Sequence, residues 1–309
     1  MPKSPAIRPI TALATALACG ILLAAPLAAR AGAEPAYKTE VEAWRAKVEQ
    51  SLLRENGWLS LAGRYELGEG ENTIGSGKDN KVVLQPGLAP EKLGVVVVDG
   101  DKVTLRLAGD LEMFNARSDP IGFSERVLKT DRDQRDWVYL KRLSLYVLKR
   151  DDGRYILRTA DTESDARKNF KGRIWYGVED ASRVPARFVP YKNGKKTEIV
   201  NVLGEVTQET VAGYLEFKWK GRTRRLDAFA DPGDPLFVIF KDSTADKTTY
   251  PSGRFLTVPA AKNGLTTIDF NKAYNPPCAF SAYTTCPLPP PQNVMKDAVA
   301  AGEKYVRHD

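Results

Sequence analysis

The sequence has a single histidine among 309 residues, His308, which is the penultimate residue. Chain termini are usually poorly ordered and do not hold a catalytic base in place. This scarcity excludes Ser-His-Asp and Cys-His nucleophilic systems, H-E-x-x-H zinc sites and the histidine-rich sites of copper or non-haem iron. No metal-ligand set is predicted, and the sequence leaves the identity of any cofactor open.

Glycine-rich phosphate loops are also missing. Gly68-x-Gly70 and Gly75-x-Gly77 lack a third glycine and a following helical pattern, and G-K-[ST] does not occur. The chemistries that remain are acid–base catalysis by carboxylates, a Ser–Lys pair, a Ca²⁺ site made of scattered oxygens, or none. The acidic clusters are typical of turns and loops, and they lie at residues 99–101, 131–136 and 151–153.

Cysteine is rare, with Cys19, Cys278 and Cys286 as the three examples. Cys19 lies in an apolar N-terminal stretch, which leaves an even pair in the rest of the chain. In an exported protein such a pair predicts a disulfide, and closing so short a ring contributes roughly 2.5 kcal/mol. The alternative, a redox or metal-binding thiol pair, lacks C-x-x-C spacing and a nearby histidine.

A long apolar run without charge lies near the N-terminus. Lys3 and Arg8 precede an apolar stretch, and the small-residue pattern of a cleavage site follows, so residues 1–33 are predicted to be a signal peptide. A transmembrane anchor and a lipoprotein attached through Cys19 are the alternatives. We therefore expect a periplasmic or secreted protein without a membrane span after cleavage.

Charge of one sign is not concentrated in the mature chain. Removing residues 1–33 takes away Lys3, Arg8 and Arg30, so the formal net charge falls from +7 to +4. So diffuse a charge does not predict nucleic acid as a partner. The basic segment 218–225 is better explained as the solvated face of a hairpin that turns at Gly221.

The composition, 42% hydrophobic and 28% charged, is that of a globular protein. Thr39 and Glu42 form a capping-box pattern, and apolar residues recur at helical spacing up to Leu52. We assign residues 34–57 to an N-terminal helix. Residues 58–160 then show an apolar period of two and are predicted to form a β-sandwich.

A polar stretch from residue 161 to residue 171 is interpreted as a domain boundary. Residues 161–309 are predicted to form a second antiparallel barrel or sandwich. Six prolines between residues 276 and 291 predict an extended strap, and residues 294–306 a C-terminal helix capped by Asn293. The predicted strands are 82–84, 95–98, 103–107, 143–147, 155–158, 184–189, 214–219, 224–229, 236–240, 254–258 and 265–270.

Residues near the strap form the candidate site, because a proline-braced and disulfide-linked segment can hold a rigid polar pocket. Arg254 would clamp an anionic group, and Asp269 would act in acid–base catalysis or cation binding. The ligand-orienting and secondary candidates are Asn271, Tyr274, Asn275, Arg167 and Glu303. The alternative is that these groups satisfy backbone carbonyls of the extended strap.

Residues 65–107 resemble forkhead-associated (FHA) domains, β-sandwiches that read phosphothreonine. The resemblance rests on residues 71–76 and on 80–84. Family members place arginine where Ser76 stands and have Ser-x-x-His where residues 89–92 are Ala-Pro-Glu-Lys. The resemblance implies a similar fold without the phosphopeptide site.

A second resemblance extends over nearly the whole mature chain. The motifs that carry it are Trp58-Leu59-Ser60-Leu61, residues 71–76, Arg167-x-x-Phe170-x-Gly172, Asn201-x-Leu203-Gly204, Gly253-Arg254-Phe255-Leu256, residues 269–280, residues 285–290 and Ala301-Gly302-Glu303-Lys304. They resemble domain-of-unknown-function family 1684. The resemblance identifies relatives of this chain, but it implies no activity, because the family has none that is established.

Three functional hypotheses follow. The first is a protein that binds a small polar or anionic molecule, or an envelope partner, at the strap. The second is a histidine-independent hydrolase or lyase that uses Asp269, with Glu303 as its partner. The third is an envelope scaffold with an FHA-like face.

Overall fold

The structure is a computed structural model that describes residues 34–109, 111, 124–131 and 134–306. The predicted signal peptide, with Cys19, and the terminal His308 lie outside the described residues. Among those that are described, no helix is both long enough and apolar enough to cross a membrane.

Helix α1 spans Pro35–Leu52 and therefore begins before the predicted capping box at Thr39. A proline fits the first turn, because its missing N–H would have no partner there in any case. The Thr39 hydroxyl donates to the carbonyl oxygen of Pro35 at 2.9 Å, so it lies inside the helix and caps nothing. The helix also ends before the predicted limit at residue 57, and a 3-10 helix follows over Trp58–Ser60.

The part of the chain before residue 162 forms two sheets around one hydrophobic core. Their strands are β1 (Leu61–Leu67), β2 (Gly70–Gly75), β3 (Val82–Val83), β4 (Gly94–Asp99), β5 (Lys102–Leu107), β6 (Glu125–Leu128), β7 (Val138–Leu140), β8 (Leu143–Lys149) and β9 (Tyr155–Asp161). One sheet has the order β3-β2-β4-β5-β6 and the other β1-β9-β8-β7. The predicted β-sandwich with its two hairpins, β4–β5 and β8–β9, is confirmed, whereas the resemblance to FHA domains stays a prediction.

The rest of the chain forms further antiparallel sheets with a second core. Their strands are β10 (Arg183–Val200), β11 (Val206–Trp219), β12 (Arg222–Ala228), β13 (Leu236–Phe240), β14 (Arg254–Val258) and β15 (Leu265–Asp269). The order is β12-β11-β10-β15 in one sheet, and β13 pairs with β14 in another. The apolar strand β13 is buried, as its composition predicts.

The predicted C-terminal helix over residues 294–306 is wrong. A 3-10 helix spans Pro291–Asn293, and the chain then continues without helix. Its backbone groups pair with distant segments: the Met295 N–H donates to the Lys241 carbonyl at 2.8 Å, and the Lys304 N–H to the Ile174 carbonyl at 2.8 Å. These tertiary hydrogen bonds replace the ones that a helix would have made within the segment.

Asn293 was predicted to cap that helix, and it has another role. Its side chain is fully buried. The Oδ1 atom accepts from the Asp227 N–H at 2.6 Å, and Nδ2 donates to the carbonyls of Asp227 and Ile239 at 2.9 and 2.8 Å. One amide therefore joins strand β12 to strand β13.

The polar stretch 161–171 contains a short helix, α2, over Asp165–Lys168. Ser164 caps it by accepting a hydrogen bond from the Arg167 N–H. The two hydrophobic cores lie on either side of this stretch in sequence, yet both belong to one compact unit. The assignment of separate domains at this point stays a prediction.

Candidate functional site

Arg254, the predicted anion clamp, lies on β14 and is only 1% exposed. Its guanidinium forms an ion pair with Asp242 at 2.8 Å. It also donates hydrogen bonds to the carbonyl oxygens of Val299, Ala301 and Glu303 in the extended C-terminal segment. Burial lowers the pKa of the guanidinium, and the Asp242 carboxylate acts against this. All of these contacts are made to other groups of the protein. They are the kind of contact expected under the alternative in which the residues near the strap have a structural role.

Glu303 and Asn275 lie close to Arg254. The Glu303 carboxylate accepts from Arg173 at 2.6 Å and from the Asn275 N–H at 2.7 Å. Burial raises the pKa of Glu303 to about 7, and Arg173 opposes that rise. Tyr274, the preceding residue, pairs its backbone with Phe255. Three predicted residues, Arg254, Asn275 and Glu303, therefore meet in one buried network.

Asp269 and Asn271 form a different group at the end of β15. An oxygen of Asp269 accepts from the Tyr37 hydroxyl at 2.7 Å and from the Asn271 N–H at 3.1 Å. Asn271 also exchanges hydrogen bonds with the backbone of Glu179. Burial and the adjacent Asp269 raise the pKa of Tyr37. This group fixes helix α1 on the C-terminal sheets.

Arg167 lies away from both groups, in helix α2. Its guanidinium donates to the carbonyl oxygens of Leu53 and Thr162. Asp269 and Glu303 have no hydrogen-bond partner in common. The catalytic and ligand-binding roles assigned to these residues from sequence stay predictions.

The disulfide predicted between Cys278 and Cys286 is confirmed. It closes a ring within the proline-rich strap, and the strap is held further by hydrogen bonds to the β10–β11 hairpin. The Val202 N–H donates to the Cys286 carbonyl at 3.0 Å, and the Leu288 N–H to the Val200 carbonyl at 2.8 Å. The strap is therefore fixed to this hairpin at Cys286 and at Leu288.

A cavity of about 510 Å³ lies beside this part of the strap. Thr285 and Pro287, which flank Cys286, contribute to its wall. The other walls come from strands β1, β8 and β9 on one side and from β10, β11 and β13 on the other. Its size is that of a small-molecule pocket. Neither Asp269 nor Glu303 lines it.

Arginines line the N-terminal side of the cavity. Arg64 of β1 and Arg158 of β9 are direct partners in the antiparallel register, and Tyr146 of β8 is the next partner of Arg158. Directly paired residues of neighbouring strands point to the same face of a sheet. Two guanidinium groups therefore stand side by side on the face that is turned away from the first core.

Arg158 has an unusual environment for a cation. It is 8% exposed, and its Nη1 donates to the Tyr283 carbonyl of the strap at 2.5 Å. No carboxylate among the described residues forms an ion pair with it. Burial lowers its pKa, and the nearby positive charges of Arg64, Arg150 and Arg135 lower it further. A negative charge placed here would be stabilised.

Arg64 also keeps hydrogen-bonding capacity. Its side chain is 17% exposed, and its nearest carboxylate oxygen belongs to Glu205 at 3.9 Å, which is beyond hydrogen-bond distance. Its Nε and Nη2 atoms are buried and have no hydrogen-bond partner. Buried donors of this kind are rare in folded proteins, since each one costs free energy.

Asp152 and Glu205 beside the cavity are paired with arginines, whereas Asp151 and Glu209, which also line it, form no ion pair among the described residues. Arg150 and Arg154 both contact Asp152, whose pKa falls to about 2 chiefly through its hydrogen bond with Arg154. Glu205 pairs with Arg154 at 2.8 Å and with Arg150 at 3.2 Å. Asp152 and Glu205 thus compensate the charges of Arg150 and Arg154, and Arg158 has no carboxylate partner among the described residues.

Sequence reasoning did not identify this cavity. A signal exists at Arg158, which follows three apolar residues in the strand Tyr155–Asp161, where every residue is buried. A charged residue in a strand buried on both faces is unusual and suggests a function. Its pairing with Arg64 could not be read from the sequence, because the two strands are distant in the chain.

Together the fold and the cavity define a mainly β protein with a basic pocket between its sheets. Residues 168–304 match the family described as protein of unknown function (DUF1684). This match covers the C-terminal part only. No curated protein matches the sequence.

A solved structure that matches is the solution NMR structure of an uncharacterized protein of Haloarcula marismortui. The two sequences are 31% identical, and the match covers 45% of this chain and 78% of that chain, with a TM-score of 0.38.

Proposed function

We propose that the protein binds a small anionic molecule in the cavity between strands β1, β8 and β9 and the proline-rich strap. The observation that carries this proposal is the pair Arg64 and Arg158. Both guanidinium groups lie at the cavity, Arg158 has no carboxylate partner among the described residues, and Arg64 has two donors without a hydrogen bond.

Charge-assisted hydrogen bonds are the natural use of such donors. A carboxylate or phosphate group can accept two parallel N–H bonds from one guanidinium. Two arginines on neighbouring strands present their donors from rigid sheet positions, which keeps the entropy cost of binding low. The anion would also relieve the mutual repulsion between Arg64 and Arg158.

The proposed site therefore still includes the strap, but it uses a different arginine from the one predicted from sequence. The strap contributes Thr285 and Pro287 to the wall and the Tyr283 carbonyl that holds Arg158. Arg254, the clamp predicted from sequence, is replaced in this role by Arg158.

We also propose that the chain is exported and that its relationship to DUF1684 extends beyond residues 168–304. The N-terminal 33 residues have the pattern of a signal peptide, and the disulfide is typical of an oxidising compartment. Intact-mass measurement of the protein from its own host tests export, because cleavage would leave a chain that starts near residue 34.

Binding is tested by isothermal titration calorimetry with inorganic phosphate and with hexanoate as probes. We expect saturable binding of at least one probe and at least a tenfold weaker affinity in Arg158→Met, because a lost charge pair in a buried site costs more than 1.4 kcal/mol. Arg106→Met is the matched control. Arg106 is exposed and lies on β5, in the sheet β3-β2-β4-β5-β6, which does not line the cavity. Failure of both probes, or equal affinity in Arg158→Met, would overturn the proposal.

A further inference from the structure

The cavity carries two chemically different surfaces. Beside the row formed by Arg64 and Arg158, the next row on the same sheet face contains Ile156 and its partners Glu66 and Leu148, and of these Ile156 and Leu148 line the cavity. Residues two apart on one strand point to the same face and are about 7 Å apart. A ligand whose charged group meets the arginines therefore reaches these apolar side chains about 7 Å further along, roughly the length of five or six carbon–carbon bonds.

The opposite wall has an apolar part as well, beside the polar residues Asn201, Thr207 and Glu209. Ile199 of β10, Phe229 after β12, and Phe237 and Ile239 of β13 face the cavity. Ile239 and Phe237 belong to a small apolar cluster that includes the disulfide sulfurs of the strap. An inorganic anion would use the arginines and leave this whole wall in contact with water.

Apolar surface also continues outward from the cavity. The turn of the β10–β11 hairpin exposes Val200, Val202, Leu203 and Val206, each at least 36% exposed. Val206 is at once part of this exposed turn and part of the cavity wall. A ligand chain that leaves the cavity therefore passes onto an apolar surface.

We propose that the ligand is a single-chain amphipathic anion, with a carboxylate or phosphate headgroup at Arg64 and Arg158 and an alkyl chain along the apolar wall. This inference rests on the proposed function and names the ligand class of the same cavity. It follows from three surfaces that adjoin one another: the two arginines, the aliphatic and aromatic side chains of the cavity wall, and the apolar hairpin turn that shares Val206 with the wall.

The test measures affinity against chain length. Acetate, hexanoate and decanoate, all below micelle-forming concentration, are titrated into the mature protein by calorimetry, with decyl phosphate as a second headgroup and hexylammonium as the cation of matched length. We expect affinity to rise about two- to fourfold per methylene group, and hexylammonium not to bind. Comparing the affinities of decanoate and decyl phosphate shows whether the arginines prefer a carboxylate or a phosphate headgroup. Either preference supports a single-chain amphipathic anion as the ligand.

A pair of variants separates the chain from the headgroup. Leu148→Gln places a polar amide in the wall and should weaken decanoate binding at least fivefold while leaving acetate binding unchanged. Val127→Gln is the matched control, because Val127 is 52% exposed on strand β6 of the far sheet. If Leu148→Gln loses its near-UV circular dichroism, the wild-type chain-length series remains decisive by itself.

The two proposals fail differently. Equal affinity for acetate, hexanoate and decanoate, with binding still lost in Arg158→Met, would overturn the amphipathic ligand and leave anion binding intact. Absence of binding by every anion would overturn the proposed function and this inference together. Binding of hexylammonium as tightly as hexanoate would show that the arginines do not select the headgroup.

Discussion

Asn293 binds both backbone groups of Asp227, as a neighbouring strand would. Its Oδ1 accepts the Asp227 N–H and its Nδ2 donates to the Asp227 carbonyl, at 2.6 and 2.9 Å. The same Nδ2 reaches the Ile239 carbonyl, so that one side chain closes the gap between two sheets.

Replacing this amide should be costly. We expect Asn293→Ala to lower the free energy of unfolding by about 2–4 kcal/mol, because three buried backbone groups lose their partner. Urea denaturation measures the change. Gln292→Ala is the control, since the neighbouring Gln292 is exposed and should change stability by less than about 0.5 kcal/mol.

Arg254→Met should destabilise the fold by about 3–5 kcal/mol, because it leaves Asp242 as an uncompensated buried charge. Three carbonyl oxygens of the C-terminal segment lose their donor in the same substitution. Urea denaturation again measures the effect. An Arg254→Met protein of wild-type stability would show that this residue is free for another role, such as the clamp predicted from sequence.

Arg158→Met should raise the stability of the ligand-free protein by about 1 kcal/mol. The substitution removes a buried cation that is repelled by Arg64 and Arg150, at the cost of one hydrogen bond to Tyr283. Differential scanning calorimetry in a buffer without small anions measures it. A melting temperature well below that of the wild type would mean that Arg158 has a structural function.

Glu303 should make stability depend on pH. Its pKa is raised from an ordinary value near 4.5 to about 7 in the folded protein. As the pH rises, the unfolded state therefore releases this proton before the folded state does. The contribution of Glu303 to the free energy of unfolding is complete below pH 4.5 and decreases by up to about 3 kcal/mol as the pH rises to 7.

Glu303→Gln should remove that part of the pH dependence. The comparison is the melting temperature of wild type and variant between pH 4.5 and 8, and the two curves should differ in slope below pH 7. Parallel curves would show that Glu303 is ionised throughout, held so by Arg173.

The disulfide should contribute about 2.5 kcal/mol, the value for a ring of this length. Replacing Cys278 and Cys286 by serine should lower the urea midpoint accordingly and weaken hexanoate binding, because Thr285 and Pro287 lose their fixed positions in the cavity wall. Wild-type affinity in the double variant would show that the hydrogen bonds of the strap to the β10–β11 hairpin are sufficient.

Local features were predictable from the sequence. The turn at residues 99–101, the apolar strand β13 and the disulfide each depend on neighbours within a few positions, and all three are confirmed. The C-terminal helix was predicted wrongly, because residues 294–306 have helical spacing but their backbone groups pair with Lys241 and Ile174 instead.

The cavity depends on relationships that no local pattern contains. Arg64 becomes a neighbour of Arg158 only through the register of β1 on β9, and Thr285 faces them only because the strap crosses that sheet face. The site predicted near the strap depends on the chemical type of its residues, and the structure places two charged members of it, Arg254 and Glu303, in the interior.

The two walls of the cavity have separate origins in the chain. Phe229, Phe237, Thr285 and Pro287 lie inside the segment that matches the family, whereas Arg64 and Arg158 precede it. A protein that shares only the C-terminal segment with this chain would share one wall of the cavity but not these two arginines. A match confined to residues 168–304 therefore carries no information about Arg64 and Arg158, the residues on which the proposed anion binding depends.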